Sequence, residues 1–176
     1  RMPVASAIIA AHRRGVRVQM LLNDHQDTRA MQVMRAELGT NRKKDSFIYR
    51  CKAGCRATEN QYNNLHTKFY SFSQAGKSED VLAIGSANMM LNADLHQWND
   101  LYFTHGDHDL YRQFVSLFND MRKDYSTRQP ARSFCGIAVT GVCDDSVDKH
   151  TVVAFPRPSG PKDDLVLTML SRIQCL

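Results

Sequence analysis

The chain has 176 residues, 43% of them hydrophobic and 23% charged, with a net charge of +5. That length suffices for a domain with a real core, and the mixture is that of an ordinary soluble globular protein. No apolar run approaches the ~20 residues of a membrane span, and no Lys/Arg block is long enough to act as a nucleic-acid arm.

Pro3 to Arg14 reads as a helix, with Val4, Ala7, Ile8 and Ala11 at helical spacing and Pro in the first turn. The sequence opens at Arg1 inside this pattern with no initiating Met, as expected of a processed or cut chain. Arg13-Arg14-Gly15 is a helix stop, and Val16 to Leu22 follows as a strand. Asp27 or Thr28 caps a second helix through Leu38, which Gly39 ends, and Ser46 to Arg50 is a short strand. Helix and strand in alternation predict an α/β layer fold.

Cys51 to Asn64 is a polar loop, and Thr67 to Ser73 is expected to be the central strand. Gln74 to Asp80 reads as a polar turn and Val81 to Ile84 as an apolar strand ending at Gly85-Ser86. Asn88 to Gln97 is a loop or short helix, and Trp98 to Thr104 a further strand. From Asp107 to Lys123 the spacing of Leu110, Phe114, Leu117, Phe118 and Met121 predicts an amphipathic helix. Beyond it come a loop from Cys135 to Cys143, a strand from Thr151 to Phe155 and a helix from Lys162 to Ile173. The expected domains are 1–130 and a tail of 131–176.

Five cysteines are present. Cys51 with Cys55 and Cys135 with Cys143 read as two disulfide-closed loops, which implies an oxidising compartment and hence a secreted protein. Zinc is the rival reading, but neither pair has the two-residue spacing of common Cys ligands. Cys175 is left over.

The chemistry concentrates in Leu65-His66-Thr67-Lys68 and Gly85-Ser86-Ala87-Asn88. His66 and Lys68, two apart on an extended segment, point to one face. A neutral imidazole is a competent nucleophile toward phosphorus, and a lysine offsets charge on the non-bridging oxygens. Ser86 and Asn88 add neutral donors, and Asp100 is the candidate to orient His66. This set suits a phosphate ester and calls for neither cofactor nor metal. A buried structural histidine is the blander reading of His66; Trp98 is read as core rather than as a residue at the mouth that meets a lipid or headgroup, and Met89-Met90-Leu91 as packing rather than as an apolar acyl entrance. His105-x-x-His108 is read as solvated rather than as a metal site.

His66-x-Lys68, Gly85-Ser86-x-Asn88 and Asn99-Asp100, in this order, resemble the His-Lys-Asp signature of the phospholipase D superfamily. Ala10 to Val18, containing Arg14-Gly15-Val16-Arg17-Val18, looks like that family's helix leading into its RGV-x-V strand. The resemblance covers about Arg1 to Tyr125. It implies an α-β-α sandwich with a mixed sheet flanked by helices, one half of a pseudo-twofold pair. It implies His66 as the catalytic histidine, Lys68 and Asn88 on phosphate, Ser86 in support and Asp100 as the acid that orients the histidine. Ser73 stands where the family has an aspartate. Family enzymes join two such motifs, so the second half is expected from another segment, another chain or a homodimer mate. Val152 to Pro158 and the helix toward Cys175 resemble the bridge to a second half in secreted bacterial relatives.

The function expected from these features is a phosphodiesterase that cleaves phospholipid headgroups at a membrane surface through a phosphohistidine, with possible transphosphatidylation. The alternatives are a metal-independent nuclease of the same superfamily, favoured by the +5 charge, and a non-catalytic phosphate-binding module, favoured by Ser73 and the single motif.

Overall fold

The computed structural model describes residues 2–23, 26–52, 54–57, 64–89, 91–130, 132–135, 151–154, 165–171 and 173–174. Five helices and seven strands alternate along these residues, giving the mixed α/β architecture that the periodicity predicts. The chain divides into two compact units, Arg1–Arg128 and Gln129–Leu176.

In the first unit, α1 (Met2–Arg13) leads through Gly15, at φ +95°, into β1 (Gln19–Leu22). The Thr28 side chain accepts the Met31 N–H and caps α2 (Arg29–Leu38), which Gly39 ends at φ +73°. β2 (Phe47–Arg50) pairs with β1 in parallel, from Gln19↔Phe47 to Leu22↔Arg50. Apolar residues recurring at helical spacing on α1 and α2 bury one side of this pair: Ala5, Ala30, Met34, Leu38 and Ile48 form a core with Ile8 and Val18 against it. Arg13 and Glu37 tie the two helices with an ion pair of 2.7 Å.

β3 (Phe69–Ala75), β4 (Ser78–Gly85) and β5 (Leu101–Thr104) make an antiparallel sheet in that order. The expected turn at Gln74 to Asp80 is therefore mostly strand, and only Gly76 and Lys77 connect β3 to β4. Polar residues there occupy exposed strand positions, which a composition-based reading takes for a loop. Nor is β3 the central strand: β4 is, and it holds the buried Val81, Leu82 and Ala83. Asp107 accepts the Leu110 N–H and caps α4 (His108–Met121). α4 buries Leu110, Phe114, Leu117 and Met121. Its Phe114 meets Phe69 of β3 edge-on at 5.0 Å, and its Phe118 lies 6.4 Å from Phe47 of β2. This helix thus packs on both groups of strands. α3 (Leu91–His96) lies between β4 and β5.

The second unit holds β6 (Arg132–Cys135), antiparallel to β7 (Thr151–Ala154), and α5 (Leu165–Ser171). β6 was not expected from the sequence. The proposed Cys135–Cys143 bridge falls outside the described residues. Among the described residues no helix is long and apolar enough to cross a membrane.

Candidate active site

Leu65 to Lys68 lies just ahead of β3 rather than in the strand, which begins at Phe69. Three bonds fix it. The Leu65 N–H donates to Asn23 Oδ1 at 2.8 Å, anchoring the segment to the end of β1. The Gly85 N–H donates to the Lys68 carbonyl at 3.0 Å, anchoring it to the end of β4. The Lys68 ammonium turns back and donates to the His66 carbonyl at 2.6 Å. His66 is exposed and Lys68 half-buried. Burial holds the Lys68 ammonium below its usual pKa, because partial desolvation disfavours the charged form. A phosphate entering here meets a cation already stripped of part of its water.

Alternation along β3 places Tyr70 and Phe72 on the face opposite the one where Phe69 meets α4. Burial raises the Tyr70 pKa.

The Gly85-Ser86 turn is built by a network between β4 and β5. The Ser86 hydroxyl donates to Asn99 Oδ1 at 3.0 Å and accepts the Asp100 N–H at 3.0 Å. The Ser86 N–H donates to the Asp100 carbonyl at 3.1 Å. Asn99 Nδ2 donates to the carbonyls of Ala93 and Gln97 at 3.0 and 3.1 Å, which closes the loop after α3. Gly85 sits in a crowded place: a Cβ there would stand 3.0 Å from the Asp100 carbonyl oxygen and 3.1 Å from Leu101 Cδ1. Asn88 follows on the same turn with its side chain exposed.

The structure therefore brings Lys68, Gly85, Ser86 and Asp100 onto one set of backbone bonds, with His66 two residues before Lys68 and Asn88 two after Ser86. No hydrogen bond joins the Asp100 carboxylate to the His66 ring in this arrangement. The Ser86 hydroxyl proton, expected for phosphate, is directed at Asn99. Asn99 is a structural centre that the Asn99-Asp100 pattern alone does not reveal. The cue was an Asn directly before the acid, at the entrance to the next strand. Trp98, expected in the core, is fully exposed. Ser73 faces Asp80 across the hairpin, between the pairs Phe72↔Val81 and Gln74↔Glu79. The Asp80 carboxylate in turn bonds His108 Nδ1 at 2.8 Å.

Cys51 and Cys55 form a disulfide. Asp124 accepts the Tyr49 hydroxyl at 2.9 Å and the Lys52 N–H at 3.1 Å, and Arg56 pairs with Asp120 at 2.7 Å. The disulfide loop is thereby fastened to the end of α4. Among the described residues no group of three His, Cys, Asp or Glu side chains is placed to hold a metal ion.

Residues 1–122 match the family described as cardiolipin synthase, PLD-like domain. The chain belongs to the phospholipase D-like family. No curated protein and no solved structure gives a significant match. The matched span contains both motif stretches, the Ser86–Asn99 network and all of α4. Membership supports phosphodiesterase chemistry at the superfamily level.

Proposed function

We propose that this chain supplies one catalytic half of a secreted phospholipase D-type enzyme that cleaves phospholipid headgroups. The observation that carries this reading is the coupling of the two motif stretches: Gly85 N–H holds the Lys68 carbonyl while the partly desolvated Lys68 ammonium sits at the His66 backbone. The phosphodiester binds with its non-bridging oxygens on Lys68 and the Asn88 amide. A ring nitrogen of His66 attacks phosphorus and the headgroup oxygen leaves, taking a proton from the histidine of the second half. Water, or an alcohol in transphosphatidylation, then attacks the phosphohistidine and gives its proton back to that second histidine. Asp100 orients His66 as the site closes, since catalytic hydrogen bonds commonly tighten only with substrate bound. Ser86 acts through Asn99 and the Asp100 backbone. The second half comes from another segment, another chain or a second copy.

Choline release from phosphatidylcholine by the complete protein tests this. The expected result is release that His66→Ala and Lys68→Ala abolish, with an acid-labile phosphoenzyme trapped on His66. Release that persists unchanged in His66→Ala would sink the reading.

A nuclease is the second reading, supported by one observation. Lys/Arg and Asp/Glu balance in residues 129–176, so the whole +5 excess lies in residues 1–128 with the site. It predicts DNA cleavage that survives EDTA and falls steeply with salt.

A further inference from the structure

The His66 ring owes its position to backbone alone. The residue is exposed, and none of the described residues hydrogen-bonds the ring. Two bonds tie its segment to the rest of the described fold. The Leu65 N–H donates to Asn23 Oδ1 at 2.8 Å, and the Lys68 carbonyl accepts the Gly85 N–H at 3.0 Å. The bond from the Lys68 ammonium to the His66 carbonyl lies within the segment and fixes it to nothing outside. Asn23 therefore holds the residue directly before His66, while Gly85 holds one two places after it.

Asn23 is itself firmly carried. It follows Leu22, whose side chain packs against the core of α1 and α2 and whose carbonyl accepts the Cys51 N–H at 2.9 Å. Its amide oxygen is a neutral acceptor. A carboxylate there would accept the same N–H but bring a negative charge to the histidine segment, against a phosphodiester. Attack on phosphorus needs reacting atoms about 3–3.5 Å apart, and a displacement of about 1 Å can cost about a hundredfold in rate. We propose that Asn23 is a positioning residue for His66: through the Leu65 N–H it sets where the imidazole stands relative to phosphorus. This rests on the phosphodiesterase reading above. In that reading Asp100 turns the ring as the site closes, and Asn23 fixes the backbone from which the ring swings.

Bis(p-nitrophenyl) phosphate, a diester with no lipid part, is the probe for the complete protein. Asn23→Leu, close in size but without an acceptor, lowers kcat about tenfold to a hundredfold and leaves KM within about twofold, since Lys68 and Asn88 still meet the ground state. Asn23→Asp restores kcat and raises KM, because the acceptor returns with a charge that repels the diester. A purely structural role would lower stability without this split. Two signatures need no turnover. The Leu65 amide exchanges slowly in the wild type and in Asn23→Asp but quickly in Asn23→Leu, and the His66 ring signals in the NMR spectrum broaden only in Asn23→Leu. A wild type inert toward diesters sinks the hydrolase reading alone, and those two signatures then decide whether Asn23 places His66. A wild-type kcat in Asn23→Leu, an equal loss of kcat in Asn23→Asp, or a Leu65 amide that exchanges freely in the wild type overturns the proposal.

Discussion

The Ser86 hydroxyl donates to Asn99 Oδ1 at 3.0 Å, across thirteen residues of sequence. Together with the Asp100 N–H that the same hydroxyl accepts, this bond fixes the two turns that carry Asn88 and Asp100. Ser86 thus shapes the site, and Asn99 is the residue through which it does so.

Removing either partner exposes that division of labour. Asn99→Ala loses one accepted and two donated bonds and leaves the Ala93 and Gln97 carbonyls without them, at a cost of about 1–3 kcal/mol. Ser86→Ala costs about 1 kcal/mol. The double variant costs less than the sum, with a coupling of about 1 kcal/mol in urea unfolding. Additive losses would mean that the two side chains act apart and that the Ser86 hydroxyl is available to ligand.

Gly85→Ala sets a Cβ against the Asp100 carbonyl at 3.0 Å. That neighbour is backbone, so β4 and β5 must part locally. Stability falls by about 1–3 kcal/mol, the usual cost of forcing a group into a packed site. Diesterase kcat/KM falls further than this loss of folded protein explains, because Asp100 and the Ser86 turn shift together. Circular dichroism beside steady-state kinetics separates the two effects.

Much of this was readable before any coordinates. Thr28 and Gly39 bound α2 because a hydroxyl before an apolar period and a glycine after it answer the helix's unpaired N–H and C=O groups. The apolar stripe of α4 and the pairing of Cys51 with Cys55 were equally plain. What stayed hidden depends on strand register. Nothing in Gln74 to Asp80 distinguishes an exposed hairpin from a loop, since polar residues suit both. The Ser86–Asn99 bond exists only because β4 and β5 pair Gly85 with Leu101. Hydrophobicity favours burial, which points Trp98 to the core, yet the residue is fully exposed.

Both cysteines of the disulfide are fully buried, at 0% exposure. Reductant therefore reaches the bridge only when the loop opens, and thiol titration of the native protein with dithiothreitol present should show no release until unfolding begins. Closing so short a loop limits the unfolded chain only modestly, so Cys51→Ser with Cys55→Ser costs about 2 kcal/mol. Gly54, Cys55 and Ala57 all have positive φ, and the bridge and the fastening to α4 are what hold them there. Asp124→Ala, which strips the partners from the Tyr49 hydroxyl and the Lys52 N–H, should add about 1–3 kcal/mol and ease reduction.

Lys68 gives the site a pH dependence whose sign follows from burial. Its folded pKa lies below the ordinary lysine value, so the folded chain disfavours the ammonium relative to the unfolded one. That penalty is present at neutral pH and fades as pH rises through the folded and then the unfolded pKa. Lys68→Met should therefore stabilise the free protein at neutral pH, with the gain vanishing in alkaline solution. Ligand acts in the opposite direction. A bound phosphate favours the ammonium, so its affinity declines on the alkaline side before an ordinary lysine would titrate, and binding there takes up a proton. Calorimetry of inorganic phosphate in two buffers of different ionisation enthalpy reads both quantities. Lys68→Arg, whose guanidinium stays charged throughout, should keep a flat affinity over the same range. The same alkaline decline in that variant would place the titrating group elsewhere than Lys68.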